Sequence, residues 1–242
     1  MGINPYTTRF CPRPVNPCMN SPTDHLAVLP KCSEPVDILR EEEGFVLVAK
    51  PAGLLSVPGR NRANYDCVLA RLQLEYVNAS MVHRLDFDTS GVMVVARHKR
   101  AHAAIARQFE QRETRKTYIA VVSGELPSED GEIALAIAPD KQNRPRYKVC
   151  EQTGKPSLTR YHRLSYDSVT DTSRVALYPV TGRSHQLRVH LSAIGHPILG
   201  CQFYAPDAIR AAAPRLLLHA AELEFVSPDD GSTVCGRVEC PF

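Results

Sequence analysis

Apolar positions along this chain follow two periods. Residues 92–96, Val92-Met93-Val94-Val95-Ala96, form a continuous apolar run rich in β-branched residues, too short for an ordinary helix, which predicts a buried strand. Residues 36–39 and 45–49 read as two short strands around the acidic turn Glu41-Glu42-Glu43-Gly44. Tyr118, Ala120 and Val122 share one face of a strand over 118–122, and Val175, Leu177 and Pro179 mark another leading to Thr181-Gly182-Arg183. The helical period appears over 97–112, where Ala101, Ile105 and Phe109 fall at i, i+4 and i+8. It recurs at Val68, Leu69, Leu72 and Val77, with Asp66 as cap and an end before residue 79. Leu187, Leu191 and Ile194 predict a third helix, capped by Ser184 and stopped by Gly195. Residues 206–213 read as a short helix, 215–225 as strands and 235–240 as a closing strand, while 124–163 is a tract of short strands and turns. Residues 1–35 carry seven prolines and little apolar period, predicting an extended or partly disordered arm draped on the rest. No repeat or linker divides 36–242, which is therefore expected to be one domain.

Composition changes this picture only at its edges. With 242 residues, 43% hydrophobic and 23% charged, the chain can bury a sizeable core, and a net charge of +3 permits a nucleic-acid partner without demanding one. The eight cysteines include no Cys-x-x-Cys pair, so reduced thiols are expected rather than a zinc site or disulfide framework. No apolar run is long enough to span a membrane and the N-terminus lacks a secretory core, so the expectation is a cytoplasmic protein with no membrane partner. His185 and His190 are five apart and diverge on a helix, and no His-Glu-x-x-His is present, so no metal is expected.

Candidate chemistry centres on His83-Arg84-Leu85-Asp86-Phe87-Asp88-Thr89-Ser90-Gly91. On an extended segment Arg84 and Asp86 share a face while Leu85 and Phe87 anchor the other. Taken alone, these nine residues read more readily as a surface ion pair and a Thr-Ser-Gly turn than as a catalytic loop. Tyr118 alone reads as a core or edge residue. Arg100, Arg107, Gln111 and Arg112, followed by Arg115 and Lys116, make the densest basic region, either a solubilising helix face or an electrostatic footprint for nucleic acid. Arg60 and Arg62, in a glycine-containing loop, are phosphate ligands or part of a solvated turn in equal measure.

His83-Arg84-Leu85-Asp86 with Thr89-Ser90-Gly91 resembles the catalytic motif of the RluA-type pseudouridine synthases. Three more blocks agree in order: Lys50-Pro51-Ala52-Gly53-Leu54-Leu55-Ser56-Val57-Pro58-Gly59, Lys116-Thr117-Tyr118-Ile119-Ala120, and Gly182-Arg183-Ser184-His185-Gln186-Leu187-Arg188. The resemblance covers about residues 36–242, and the wording of 53–60, Asn143-Arg144-Pro145 and 204–219 is similar to the short family members acting on tRNA and ribosomal RNA.

The resemblance implies an α+β fold with a long mixed, mostly antiparallel sheet flanked by helices and loops. It implies that Asp86 is the catalytic carboxylate, that Tyr118 lies against the target base, and that Arg84 enters the RNA stack when that base leaves. Arg183 falls at the corner between the strand ending near Pro179 and the helix after Ser184, where its guanidinium either pairs with Asp86 and orients it or makes a structural ion pair. His83, Arg60, Arg62, Arg107, Arg112 and Lys116 become candidate RNA contacts, with Leu187 and Leu217 packing beneath the site. Isomerising uridine to pseudouridine adds and removes nothing, so no cofactor is implied. The implied partner is a stem-loop of tRNA, such as the anticodon arm, or of large-subunit ribosomal RNA, met by a monomer. The proline-rich 35 residues stand where many relatives carry an S4 module. Two other readings stay open: a glycosidase-like hydrolase using Asp86 and Asp88, and an RNA-binding module without activity.

Overall fold

The computed structural model describes residues 27–242. Most of the proline-rich arm therefore lies outside the described residues. Its last part, 27–35, has no regular structure and is held to the body by local bonds. The Leu29 N–H donates to Asn64 Oδ1 at 2.8 Å, and Arg71 donates to the Cys32 and Glu34 carbonyls at 2.6 and 2.5 Å.

Twelve strands and four α-helices follow. They are β1 (Asp37–Glu41), β2 (Phe45–Lys50), α1 (Val68–Leu72), β3 (Ser80–Met81), β4 (Ser90–Ala96), α2 (Lys99–Gln111), β5 (Arg115–Ser123) and β6 (Asp130–Ala134). Then come β7 (Ile137–Pro139), β8 (Tyr147–Val149), β9 (Leu158–Asp167), β10 (Thr172–Pro179), α3 (Gln186–Ala193), α4 (Asp207–Ala211), β11 (Leu218–Val226) and β12 (Thr233–Arg237). Among the described residues, ten strands form one sheet in the order β1-β2-β4-β11-β5-β10-β9-β6, with β12 on β11 and β3 on β4, while β7 and β8 form a separate hairpin. The large sheet is antiparallel except between β4 and β11. This is the mixed, mostly antiparallel α+β architecture expected from the sequence.

The continuous apolar run of β4 is explained by cover on both faces. Met93 and Val95 join Val46, Val48, Val68 and Leu72 in one core layer, whereas Val92, Val94 and Ala96 join Phe45, Leu47, Ala101, Ile105 and Phe225 in the layer under α2. The i, i+4, i+8 stripe of α2 is the face that covers the sheet. A third layer packs α3, through Leu187 and Leu191, onto Ala120, Val122, Val175 and Leu177.

Two predicted helix starts shift. Cys67, not Asp66, caps α1, its Sγ accepting from the Ala70 N–H at 3.3 Å, because Asp66 is drawn into a two-pronged bond with Arg71 at 2.7 Å. That helix ends at Leu72, and Leu74 and Val77 are 87% and 79% exposed, so the apparent continuation of its apolar period buries nothing. His185, not Ser184, occupies the cap position of α3.

The parallel junction positions the site. Gly91 pairs with Ala220 on β11, and Ala220 pairs on its other side with Tyr118 on β5. Tyr118 thus stands two strands, about 10 Å, from the end of the turn carrying Asp86. Gly91 is required here: its φ is +123°, and a Cβ would fall 2.1 Å from the Ala220 carbonyl oxygen.

Candidate active site

The segment between β3 and β4 is held from behind by the Lys50–Ser56 stretch. Ser56 Oγ donates to the Leu85 carbonyl at 2.8 Å and accepts from the Leu85 N–H at 3.1 Å, so one hydroxyl fixes both backbone groups. The Gly53 N–H donates to the Phe87 carbonyl at 2.9 Å. Lys50 is 1% exposed and gives its three ammonium protons to the carbonyls of Pro51, Leu54 and Phe87 at 2.8, 2.7 and 3.1 Å. Burial pulls its pKa down to about 7, opposed by the charges of Asp86 and Asp88. With Leu85 buried in the core, the turn presents Asp86 and Asp88 outward, 26% and 23% exposed.

Arg188 meets both carboxylates. Its Nη1 lies 3.3 Å from Asp86 Oδ2 and its Nη2 lies 3.8 Å from Asp88 Oδ2, although its own side chain is only 1% exposed. Its Nε donates to Cys201 Sγ at 3.5 Å, and the guanidinium lies over the rings of Phe203 and Tyr204, 5.1 and 5.5 Å from their centroids. Burial disfavours this charge, but Cys201 and Asp86 outweigh it and raise the arginine's pKa. His185 adds Nε2 at 3.8 Å from the same Asp86 oxygen.

The expected pairing of Arg183 with Asp86 is thus corrected. Among the described residues, the basic side chains within ion-pair distance of Asp86 are Arg188 and His185, and the buried Nε of Arg183 has no hydrogen-bond partner. Arg183 precedes the helix, while Arg188 lies on its first turn, on the face turned to Asp86 and Asp88. A sequence signal existed: an arginine between Leu187 and Val189, in a helix buried throughout 186–191, needs an acid to justify it.

Tyr118 is half-buried and touches two core layers. Burial, with a smaller contribution from the charge of Asp86, pushes its phenol well above the ordinary range, so it stays protonated at neutral pH. Leu187 is buried beside it, with Leu217 partly buried against the same layer. His83 is committed to the scaffold: its Nε2 accepts from the Val94 N–H at 3.1 Å and its ring stacks on Phe109 at 4.6 Å. Burial, then Lys116, lowers its pKa to about 3, so it carries no charge toward a phosphate. Lys116 is itself half-buried over Phe109 and joins Arg112, Arg160 and Tyr178 along a groove of about 380 Å³ that also contains Glu222 and Glu224. Arg60, Arg62, Arg84 and Arg107 are exposed, and among the described residues their side chains have no ion pair or hydrogen bond. Sequence reasoning does not single out Lys50, Ser56 or Arg188, although all three stand inside the motif blocks.

Chemically, this is a rigidly mounted carboxylate at the surface of an otherwise closed corner, with an arginine, a neutral imidazole and a protonated phenol around it. Residues 44–193 match the RNA pseudouridylate synthase family. The chain belongs to that family and is an RNA pseudouridine synthase, an isomerase. It is 48% identical over 205 residues to the dual-specificity RNA pseudouridine synthase RluA of Escherichia coli, covering 85% of this chain and 93% of that one. It is likewise 49% identical over 209 residues to the protein of that name from Vibrio parahaemolyticus, covering 85% and 84%. Among solved structures, human RNA pseudouridylate synthase domain containing 1 matches with a TM-score of 0.73 and 31% identity, over 88% of this chain and 86% of that one.

Proposed function

We propose that the enzyme isomerises a uridine in a stem-loop of tRNA, such as the anticodon arm, and in large-subunit ribosomal RNA, with Asp86 as the catalytic carboxylate. It acts as a monomer in the cytoplasm, through one catalytic domain spanning 36–242. The observation that carries the reading is Asp86 itself, partly open to solvent on a turn fixed by buried bonds and gripped on one oxygen by an almost fully buried arginine. The dual specificity named for its relatives supports two RNA classes.

In the reaction the N1–C1′ bond breaks, the uracil turns, a C5–C1′ bond forms, the C5 proton leaves and N1 gains one, so nothing is consumed. A carboxylate serves this either by covalent attack or by moving a ribose proton. Tyr118 offers a ring face and a neutral phenol to the extruded base. Arg84, unpaired and beside the turn, fills the vacancy left in the stack. Asp86 and Asp88 share Arg188 and so stand on one side of any bound sugar, which disfavours a glycosidase arrangement flanking the bond.

Extrusion from a loop costs less than from a paired stem. The test offers purified enzyme an isolated anticodon stem-loop, a hairpin from large-subunit RNA, and a fully paired duplex. Pseudouridine in both hairpins and little in the duplex is expected. Release of free uracil, or equal activity on the duplex, would overturn the proposal.

A further inference from the structure

His185 joins two features that the catalytic reading leaves unused. It is a non-glycine residue in the left-handed region, with φ +56°, at the cap of α3, yet its side chain makes no capping bond. Such a backbone is disfavoured for a residue with a Cβ and persists where surrounding contacts impose it. Those contacts are present. The ring stacks on Phe203 at 5.7 Å, takes the edges of Tyr147 and Tyr204 at 5.5 and 5.6 Å, and bonds through Nδ1 to the Tyr204 hydroxyl at 2.6 Å.

The Tyr204 hydroxyl also accepts from the Tyr147 N–H at 2.9 Å, and the Tyr204 carbonyl accepts from Ser192 Oγ at 2.8 Å. With one lone pair taken by that N–H, the phenol proton is directed to its other neighbour, the imidazole Nδ1. An Nδ1 that accepts leaves the ring proton on Nε2. Nε2 stands 3.8 Å from Asp86 Oδ2, the oxygen that Arg188 Nη1 also approaches. Burial lowers the pKa of His185 against the pull of Asp86, in keeping with a neutral ring.

We propose that Tyr204 fixes His185 as the Nε2–H tautomer, so that His185 and Arg188 together hold Asp86 Oδ2 and turn Oδ1 toward the substrate. His185 is then a positioning residue, and Tyr204 links the catalytic carboxylate to the β7–β8 hairpin through Tyr147. The 3.8 Å separation is longer than a hydrogen bond and closes when substrate is seated. This rests on the proposed role of Asp86.

The test combines spectroscopy with kinetics. Imidazole ¹⁵N NMR of the labelled enzyme, with the His185 signals assigned by their loss in His185→Gln, reads the tautomer directly. The wild type is expected to show protonated Nε2 and bare Nδ1, and Tyr204→Phe a mixture of tautomers. Single-turnover rate on a stem-loop is expected to fall roughly tenfold in Tyr204→Phe, about the net worth of one hydrogen bond. Affinity stays within about twofold, since it rests on phosphate contacts elsewhere. His185→Gln, whose amide can replace the Nε2 donor, should retain more rate than His185→Asn. Protonated Nδ1 in the wild type, an unchanged rate in Tyr204→Phe, or Asn outperforming Gln would overturn the proposal. If Tyr204→Phe does not fold, the wild-type tautomer and the Gln/Asn pair decide. Loss of the Asp86 role would appear as an active Asp86→Asn enzyme, whereas the tautomer is read without activity.

Discussion

Backbone groups of the Asp86 turn are tied to buried partners, Leu85 to Ser56 and Phe87 to Gly53 and Lys50, whereas the side chains of Arg60, Arg62 and Arg84 nearby bond to no described residue. In the proposed function the two regions solve different problems. Breaking and remaking a glycosidic bond requires a carboxylate placed to within a fraction of an ångström, and buried hydrogen bonds supply that placement. Gripping a phosphate backbone requires charge, and a solvated arginine gives up little to form such a contact. The comparison predicts that damage to the buried side appears in turnover and stability, and damage to the exposed side in affinity and its salt dependence.

The largest expected effect is at Arg188. Arg188→Leu leaves Asp86 and Asp88 facing each other without their shared cation, and the single-turnover rate should fall by about 100-fold or more. Arg188→Lys should recover only part, because one ammonium cannot engage both carboxylates and lie flat on Phe203 and Tyr204. An Arg188→Leu enzyme near the wild-type rate would show that the buried pair is structural ballast.

Lys50 comes next, and its effect depends on pH. Its folded pKa, about 7, lies below the ordinary lysine value of 10.5. Between these values the unfolded chain binds the extra proton, so stability should rise with pH across that window, by up to ~1.4 kcal/mol per unit from this group. Below pH 7 the lysine is charged in both states and the burial penalty is fully present. Denaturant melts of wild type and Lys50→Met from pH 6.5 to 10 test this: the wild-type minus variant difference should climb with pH. A flat difference would mean that the three carbonyls keep Lys50 charged throughout.

On the exposed side, Arg84→Ala should weaken productive binding several-fold for a structured stem-loop and less for a loose single strand, where no vacancy needs filling. Equal losses on both, measured by filter binding and single turnover, would reduce Arg84 to a phosphate contact. Smallest is Arg60→Ala or Arg62→Ala, each expected to lower the slope of log affinity against log salt by about 1 with the turnover rate unchanged.

Much of the fold was legible because its signals are local. The β4 run, the α2 stripe and the Gly195 stop each follow from a few neighbouring residues, and all three appear where expected. What escaped depends on partners distant in sequence. Asp66 looks like a cap until Arg71 and the 27–35 segment claim that corner, and Val77 looks like core until the helix stops short of it. At the site, Asp86 was found through its motif, but its partner was assigned to Arg183 because that residue marks the corner. Which arginine faces the carboxylate is set by how α3 docks on the sheet, and the apolar neighbours of Arg188 are its one local sign. His83, expected as an RNA contact, instead stacks its ring on Phe109, a partner 26 positions further along the chain. The buried support from Lys50 and Ser56 was invisible for the same reason: its acceptors lie up to 37 residues away along the chain.

In the proposed function Asp86 carries the chemistry while other residues carry the RNA. Asp86→Asn keeps the shape of the side chain and removes its charge. In single-turnover assays with an anticodon stem-loop, run beside equilibrium binding, the variant should form no detectable pseudouridine while its affinity stays within a few-fold of wild type. Turnover near the wild-type rate, or loss of RNA binding together with activity, would contradict it.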